Sequence, residues 1–388
     1  MFGYAVVLLV VFTTTLIATP LLSRFAPRIG AIAFPSARSV HSKPMPLVGG
    51  IAMILGLISG LLTAMNMSQF DDMFHGSTEP LALILGAGII TFVGFVDDIR
   101  EVSPPAKVAG QVLAGSVMSL LGLTMLYFRV PFASFDYIVL SPDLAPVFTV
   151  ITVVVMANAI NLIDGLNGLA AGICVIAGTA LFLYSDRLFK AGLLEGNNLG
   201  PLLAIIVVGM GLGFLPFNFF KPMSFMGDSG ALLLGLMLAA TTVSVGGRVA
   251  DQFSGQTYFF FAPLFIPLVI LGVPLADTFF SFGRRIVRRR SFSVADKDHM
   301  HHRLMRLGHG PRRTVVILWL WTALLSAVVL VPTYRNGFGN NVIPFIIPAL
   351  GLVLYAFFSP ARGEVNKEDE EAREMRMASK DAQNGPKS

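Results

Sequence analysis

The feature that most constrains this chain is a succession of apolar runs, each nearly free of charge and set apart by short polar loops. A helix of about twenty apolar residues crosses the ~30 Å hydrocarbon core and satisfies its own backbone hydrogen bonds there. Runs of that kind fall at 2–22, 47–66, 80–96, 108–128, 144–163, 167–185, 199–217, 229–246, 259–282, 313–333 and 342–358. They predict an all-α fold, a polytopic membrane helix bundle of about eleven transmembrane helices. Residues 1–360 form the membrane domain, and 361–388 form a polar tail predicted to be disordered. Between the fifth and sixth runs, 161–167 reads as a tight turn or an unwound piece of helix. The first run reads as a span rather than a cleaved leader, because no Lys or Arg precedes it.

Composition excludes the soluble alternative. Only 13% of residues are charged and 54% are hydrophobic, too little charge to cover a water-facing surface. The net charge of +5 would suit a nucleic-acid binder, but the basic residues lie in short loops between spans, so nucleic acid is not an expected partner. Membrane lipids are. The single cysteine, Cys174, lies inside an apolar run and forms no intrachain disulfide.

The basic residues also orient the bundle. Of 28 Lys and Arg, 23 fall in loops on one side; Arg129, Arg187, Lys190, Arg248 and Arg335 are on the other. The positive-inside rule places the first side in the cytoplasm, with the N-terminus outside and the C-terminus cytoplasmic.

Carboxylates beside a hydrocarbon core are costly, so their positions carry information. Asp97, Asp98, Asp164, Asp228 and Asp277 are all expected at cytoplasmic span ends. Any one of them could simply be solvated or cap a helix; Asp228, just ahead of an apolar run, reads as an N-cap. Together they form a pattern, because four lie in Gly- or Asn-rich contexts that let backbone approach a ligand: 94–98, 158–168 and 225–230. Hard oxygen ligands suit Mg²⁺, which takes one or two protein carboxylates and leaves its other positions to water and phosphate. Asn158, Asn161 and Asp164 recur every three residues, on one broad helical stripe. The plainer reading, interhelical glue by Asn side chains, suits Asn158 best. Further on, 283–312 holds an arginine run of the sort that binds lipid headgroups, then His299, His301 and His302. Three of the chain's six histidines within four residues point to phosphate, sugar or metal contact. In the first loop, His41 and Lys43 precede a Gly-hinged helix start and are candidates for an anionic headgroup, or for enforcing topology alone.

These blocks, in this order, resemble the polyprenyl-phosphate N-acetylhexosamine-1-phosphate transferases, bacterial enzymes that start lipid-linked glycan synthesis. The resemblance runs from Pro35 to Arg313: Arg38–Gly50, Gly94–Asp98 with Lys107 and Gln111, Asn158–Leu169, Phe225–Gly230, Pro274–Thr278 and Asp296–Leu304. It implies a multi-pass enzyme of the bacterial cytoplasmic (inner) membrane. Its partners would be a UDP-N-acetylhexosamine, with GlcNAc as the sugar, and undecaprenyl phosphate. UMP would leave, and Mg²⁺, replaceable by Mn²⁺, would be the cofactor. By the same resemblance Asp228 and Asn161 hold the metal. Asp97 and Asp98 deprotonate or position the lipid phosphate, Lys107 contacts the diphosphate, and Asp164 and Asn167 face the nucleotide. The resemblance further implies substrate contacts for His41, Lys43, Asn158, His299, His301 and His302. Departures are Ala33 and Asn167, where relatives have Asp, and Ala231 in place of Ser.

Two alternatives from within and outside the class stand beside this. A phospho-N-acetylmuramyl-pentapeptide transferase carries three consecutive histidines, where this chain has His-Met-His-His followed by Arg303. A transporter places charges at the bilayer midplane within pseudo-repeats, and no repeat is visible here. A catalytically inactive relative is a third reading, suggested by Ala33 and Asn167. Monomer and homodimer are both compatible with the sequence.

Overall fold

The computed structural model describes residues 1–35, 44–128, 138–220, 222–247 and 310–334, with scattered positions between 345 and 351. Within them the helices are α1 (Phe2–Ile29), α2 (Gly49–Met65), the short α3 (Asp71–Phe74), α4 (Glu79–Arg100), α5 (Pro104–Leu120) and α6 (Leu144–Ile163). α7 (Leu169–Lys190), α8 (Gly200–Leu215), α9 (Gly227–Gly246) and α10 (Pro311–Tyr334) follow. Among the described residues the strands form two antiparallel pairs, β1 (Ile32–Ala33) with β2 (Met45–Pro46) and β3 (Tyr127–Phe128) with β4 (Ile138–Val139).

Each of the nine apolar runs lying within the described residues is helical over most of its length. Among the described residues six helices are long and apolar enough to cross a membrane, or seven if α2 and the Ser68–Phe74 segment count as one span broken by 95°. The expected 259–282 run, most of 342–358, the tail 361–388 and Asp277 lie outside the described residues. Two expectations are corrected. α1 runs on to Ile29, ended by Gly30 in the left-handed conformation (φ 74°), which allows its N–H to return to the Ala26 carbonyl. The fourth run is helical only to Leu120, and its last residues enter the β3 hairpin. Of the two readings of the segment between the fifth and sixth runs, the tight turn is the one found.

The core is arranged around α9. Its apolar window is 100% buried, enclosed by α2, α4, α6 and α8, whereas that of α1 is only 22% buried. Burial on every side explains why α9 has no polar stripe. On the rim, Phe2, Leu9, Ile17, Phe92 and Leu120 point their side chains outward, as a lipid-facing surface requires.

Helices alternate in direction, so one end of the bundle gathers the C-termini of α1, α4, α6 and α8 and the N-termini of α2, α5, α7, α9 and α10. Backbone contacts tie this end together. Phe225 N–H donates to Pro46 C=O (2.8 Å), and the amides of Gly49 and Gly50 donate to the carbonyls of Phe225 and Met226 (3.2 and 3.1 Å). Arg24, Arg28, Arg100, Lys107, Arg312 and Arg313 lie at this end, and Arg187 and Lys190 at the opposite one.

Candidate active site

The site grows out of four helix ends. α4 closes on Asp97, Asp98 and Arg100, and α5 begins at Pro104-Pro105 after Ser103 in extended backbone (φ −61°, ψ 141°). Proline is favoured at a helix start and holds its predecessor extended, so the connection is abrupt. It returns the first turn of α5 over the last turn of α4. Asp97 Oδ1 accepts the Val102 N–H (2.6 Å), and its Oδ2 accepts Lys107 Nζ (2.9 Å). The same ammonium donates to Asp228 Oδ2 from the start of α9 and, at 3.5 Å, faces Asn161 Oδ1 from the end of α6. Asn161 Nδ2 donates to Asp228 Oδ1 (2.8 Å). Three oxygens from three helices thus surround one cation.

Asp98 faces the other way. Its Oδ1 accepts the Asp228 N–H (2.7 Å), and its Oδ2 accepts the Ser229 N–H (3.1 Å) and hydroxyl (2.8 Å). The first amides of a helix have no partner within it and favour a negative group. The N-cap alternative for Asp228 is not the one taken up. α9 begins at Gly227 behind Met226, which offers no side-chain cap, and Asp98 of α4 supplies the capping carboxylate instead. Two glycines permit it. A Cβ on Gly94 would fall 2.5 Å from Ser229 Cα; one on Gly227 (φ 69°) would fall 2.5–2.8 Å from the Asp98 carboxylate, in backbone that suits glycine.

The turn between α6 and α7 runs from Asp164 to Gly168 (φ 82°). Asp164 lies at the α6 C-terminus. Withdrawal from water, reinforced by the charges of Asp228 and Asp98, holds its carboxyl well above the usual carboxylate range. Asn167 is exposed at the tip. Asn158, one helical turn before Asn161, has its amide engaged: Nδ2 donates to Gln111 Oε1 (2.5 Å) and to Val154 C=O (2.8 Å). That is the interhelical glue foreseen as its plainer role.

The structure therefore brings together Asp97, Asp98, Lys107, Asn161 and Asp228, with Asp164 close behind. His41, Lys43, His299, His301 and His302 lie outside the described residues. Sequence reasoning missed Asn218, whose side chain accepts the Gly168 N–H (2.5 Å) and donates to Ser224 C=O (3.1 Å). The available signal was an amide in Pro-Phe-Asn-Phe-Phe at the end of an apolar run, where an idle polar group is costly. It also missed Trp319 of α10, which lies against Gly172 and the Phe219 ring and directs Nε1 at Leu169 C=O (3.4 Å).

The donor set bears on a metal. Among the described residues no group of three or more His, Cys, Asp or Glu side chains is placed to hold one. What converges is a carboxylate and an amide oxygen, Asp228 Oδ2 and Asn161 Oδ1, already turned towards a cation. Two hard protein oxygens suit Mg²⁺, which leaves its other positions to water and phosphate, and Mn²⁺ by the same chemistry.

An acidic and amide cluster around a lysine, at one end of a multi-pass helical bundle, is here accompanied by the sequence signature of glycosyl transferase family 4, which matches residues 80–246. The chain belongs to that family and is a multi-pass membrane protein. It is 35% identical over 318 residues to the decaprenyl-phosphate N-acetylglucosaminephosphotransferase of Mycobacterium leprae (strain TN), covering 80% of this chain and 79% of that protein. It is 35% identical over 332 residues to the probable undecaprenyl-phosphate N-acetylglucosaminyl 1-phosphate transferase of Bacillus subtilis (strain 168), covering 85% and 86%. Identity to the undecaprenyl-phosphate alpha-N-acetylglucosaminyl 1-phosphate transferase of Escherichia coli (strain K12) is 26% over 337 residues, covering 86% and 85%.

Proposed function

We propose that this protein transfers N-acetylglucosamine-1-phosphate from UDP-N-acetylglucosamine to a polyprenyl phosphate at the cytoplasmic membrane face, releasing UMP. The observation that carries the reading is the Asp97–Lys107–Asp228–Asn161 cluster, in a chain whose relatives are named for this transfer. Those relatives use decaprenyl or undecaprenyl phosphate; undecaprenyl phosphate is the acceptor proposed here.

In the reaction an oxygen of the lipid phosphate attacks the β-phosphorus of the donor, and the bond from that phosphorus to the bridging oxygen breaks. The electron pair leaves on UMP. The nucleophile is already an anion at neutral pH, so the protein's task is to position it and to offset charge. Lys107 is oriented by Asp97 and presents its ammonium to the donor diphosphate. Asp98 fixes the α9 N-terminus, and with it the direction of Asp228. By the family resemblance, Asp164 and Asn167 are assigned to the nucleotide, and His299, His301 and His302 to the sugar. Mg²⁺ held by Asp228 and Asn161 would neutralise charge on the phosphate oxygens.

The test is UMP release by purified protein given UDP-N-acetylglucosamine and undecaprenyl or decaprenyl phosphate. Release that EDTA abolishes and added Mg²⁺ or Mn²⁺ restores is the expected result. Turnover only with the muramyl-pentapeptide nucleotide would overturn the donor assignment, and no turnover with any nucleotide sugar would overturn the activity.

A further inference from the structure

Asn218 is 3% exposed and stands at the middle of the π-helical turn Pro216–Phe220 that ends α8. Turns of this wide kind often occur at functional sites. Both ends of its amide are engaged, and each holds a different segment. Oδ1 accepts the amide of Gly168, the last residue of the turn that begins at Asp164. Nδ2 donates to the carbonyl of Ser224, four residues before Asp228. Each segment is seated close to the turn that carries Asn218. A Cβ on Gly168 would fall 2.6 Å from Phe219 Cβ, and the amides of Met223 and Ser224 both donate to Phe217 C=O (2.8 and 3.3 Å).

We propose that Asn218 is a positioning residue for the transfer reaction, a two-sided clamp that sets the Asp164–Gly168 turn against the loop leading into Asp228. The inference rests on the proposed function above. Asparagine suits the role because one planar group supplies an acceptor to one segment and a donor to the other. Leucine has similar size and supplies neither. A carboxylate accepts from Gly168 but repels the Ser224 carbonyl; a neutral carboxylic acid restores both bonds.

That last difference gives a signature that structural glue alone would not produce. Burial raises the carboxyl pKa in Asn218→Asp, so the variant's neutral form is recovered by mild acid. Near pH 8, Asn218→Asp and Asn218→Leu should each lose about 10²-fold in kcat/KM for the nucleotide sugar, the scale of a misplaced site, with the KM for polyprenyl phosphate unchanged. As pH falls to about 6, the ratio of Asn218→Asp to wild type should rise about tenfold, whereas that of Asn218→Leu stays flat. Dividing by wild type cancels the titration of Asp97, Asp98, Lys107, Asp164 and Asp228, common to all three proteins. A flat Asn218→Asp ratio, or wild-type kcat/KM in Asn218→Leu, would overturn the proposal.

Hydrogen exchange on the wild-type protein supplies a second reading that needs no variant and no turnover. The Gly168 amide should be protected although Asn167 beside it is exposed; exchange as fast as that of Asn167 would overturn the clamp. Failure of wild type to release UMP would refute the proposed activity and leave this exchange result standing on its own.

Discussion

The two ends of the bundle are built from the same kinds of helix and closed by different means. At the far end the described long-range hydrogen bonds each have a backbone group on at least one side. Leu126 and Tyr127 amides share the Gly247 carbonyl, the Thr78 hydroxyl donates to Leu121 C=O, and Gly3 N–H is taken up by Gln69. The described ion pair there, Lys190 with Asp186, spans one turn of α7. At the site end, side chains from α4, α5, α6 and α9 meet across sequence separations of up to 131 residues, and most of them are charged. The difference shows where polar groups have been placed beyond what closing the helices requires. Capping α9 needs only one carboxylate, and Asp98 supplies it. Asp97, Lys107, Asn161 and Asp228 are left to face one another.

The comparison breaks most sharply at Asp228. Asp228→Ala should abolish radiolabelled sugar-phosphate transfer, by about 10³-fold or more, while the protein still inserts in membranes. Full activity in that variant would sink the metal assignment. Next comes Asp98→Ala, which should both slow transfer and destabilise the fold by about 1–3 kcal/mol, because it strips three hydrogen bonds from the start of α9. Thermal unfolding in detergent reads the second effect; an unchanged midpoint would contradict the capping role.

A comparison within α4 is sharper still. Gly94→Ala forces a methyl into the Ser229 backbone and should cost about 1–3 kcal/mol, whereas Gly88, with nothing within 4 Å, should accept Ala and gain about 0.5–1 kcal/mol of helix propensity. At the far end, Asn198 donates to Ser244 C=O (2.7 Å) and accepts the Gly200 N–H (2.8 Å). Asn198→Ala should lower the unfolding midpoint with kcat/KM unchanged, and a kinetic defect there would show that the two ends are coupled. Smallest of all, Lys190→Ala on the exposed end of α7 should change neither measurement.

Much of this could be read from the residues alone. Apolar runs gave the helices because a bilayer admits few other ways to satisfy a backbone. Asn158 and Asn161 lie one turn apart on α6 with Asp164 as its C-cap, and the assembly of Asp97, Lys107 and Asp228 follows from their loops sharing one end. What stayed hidden depends on which way a side chain turns once neighbours are present. Nothing in Asp97-Asp98 tells that one carboxylate meets a lysine and the other a helix N-terminus. Asn158 and Asn161 look alike in sequence, yet one is taken up by Gln111 and the other reaches Asp228. Asn218 escaped because its partners, Gly168 and Ser224, are backbone groups that leave no mark on residue type.

The enclosure of α9 also has a bearing on biogenesis. Its neighbours α2, α4, α6 and α8 all precede it in the chain, so a ribosome delivers the surrounding wall before the pillar. Membrane helices form individually before they associate. Asp98 then receives the amides of Asp228 and Ser229 as α9 docks among helices made before it.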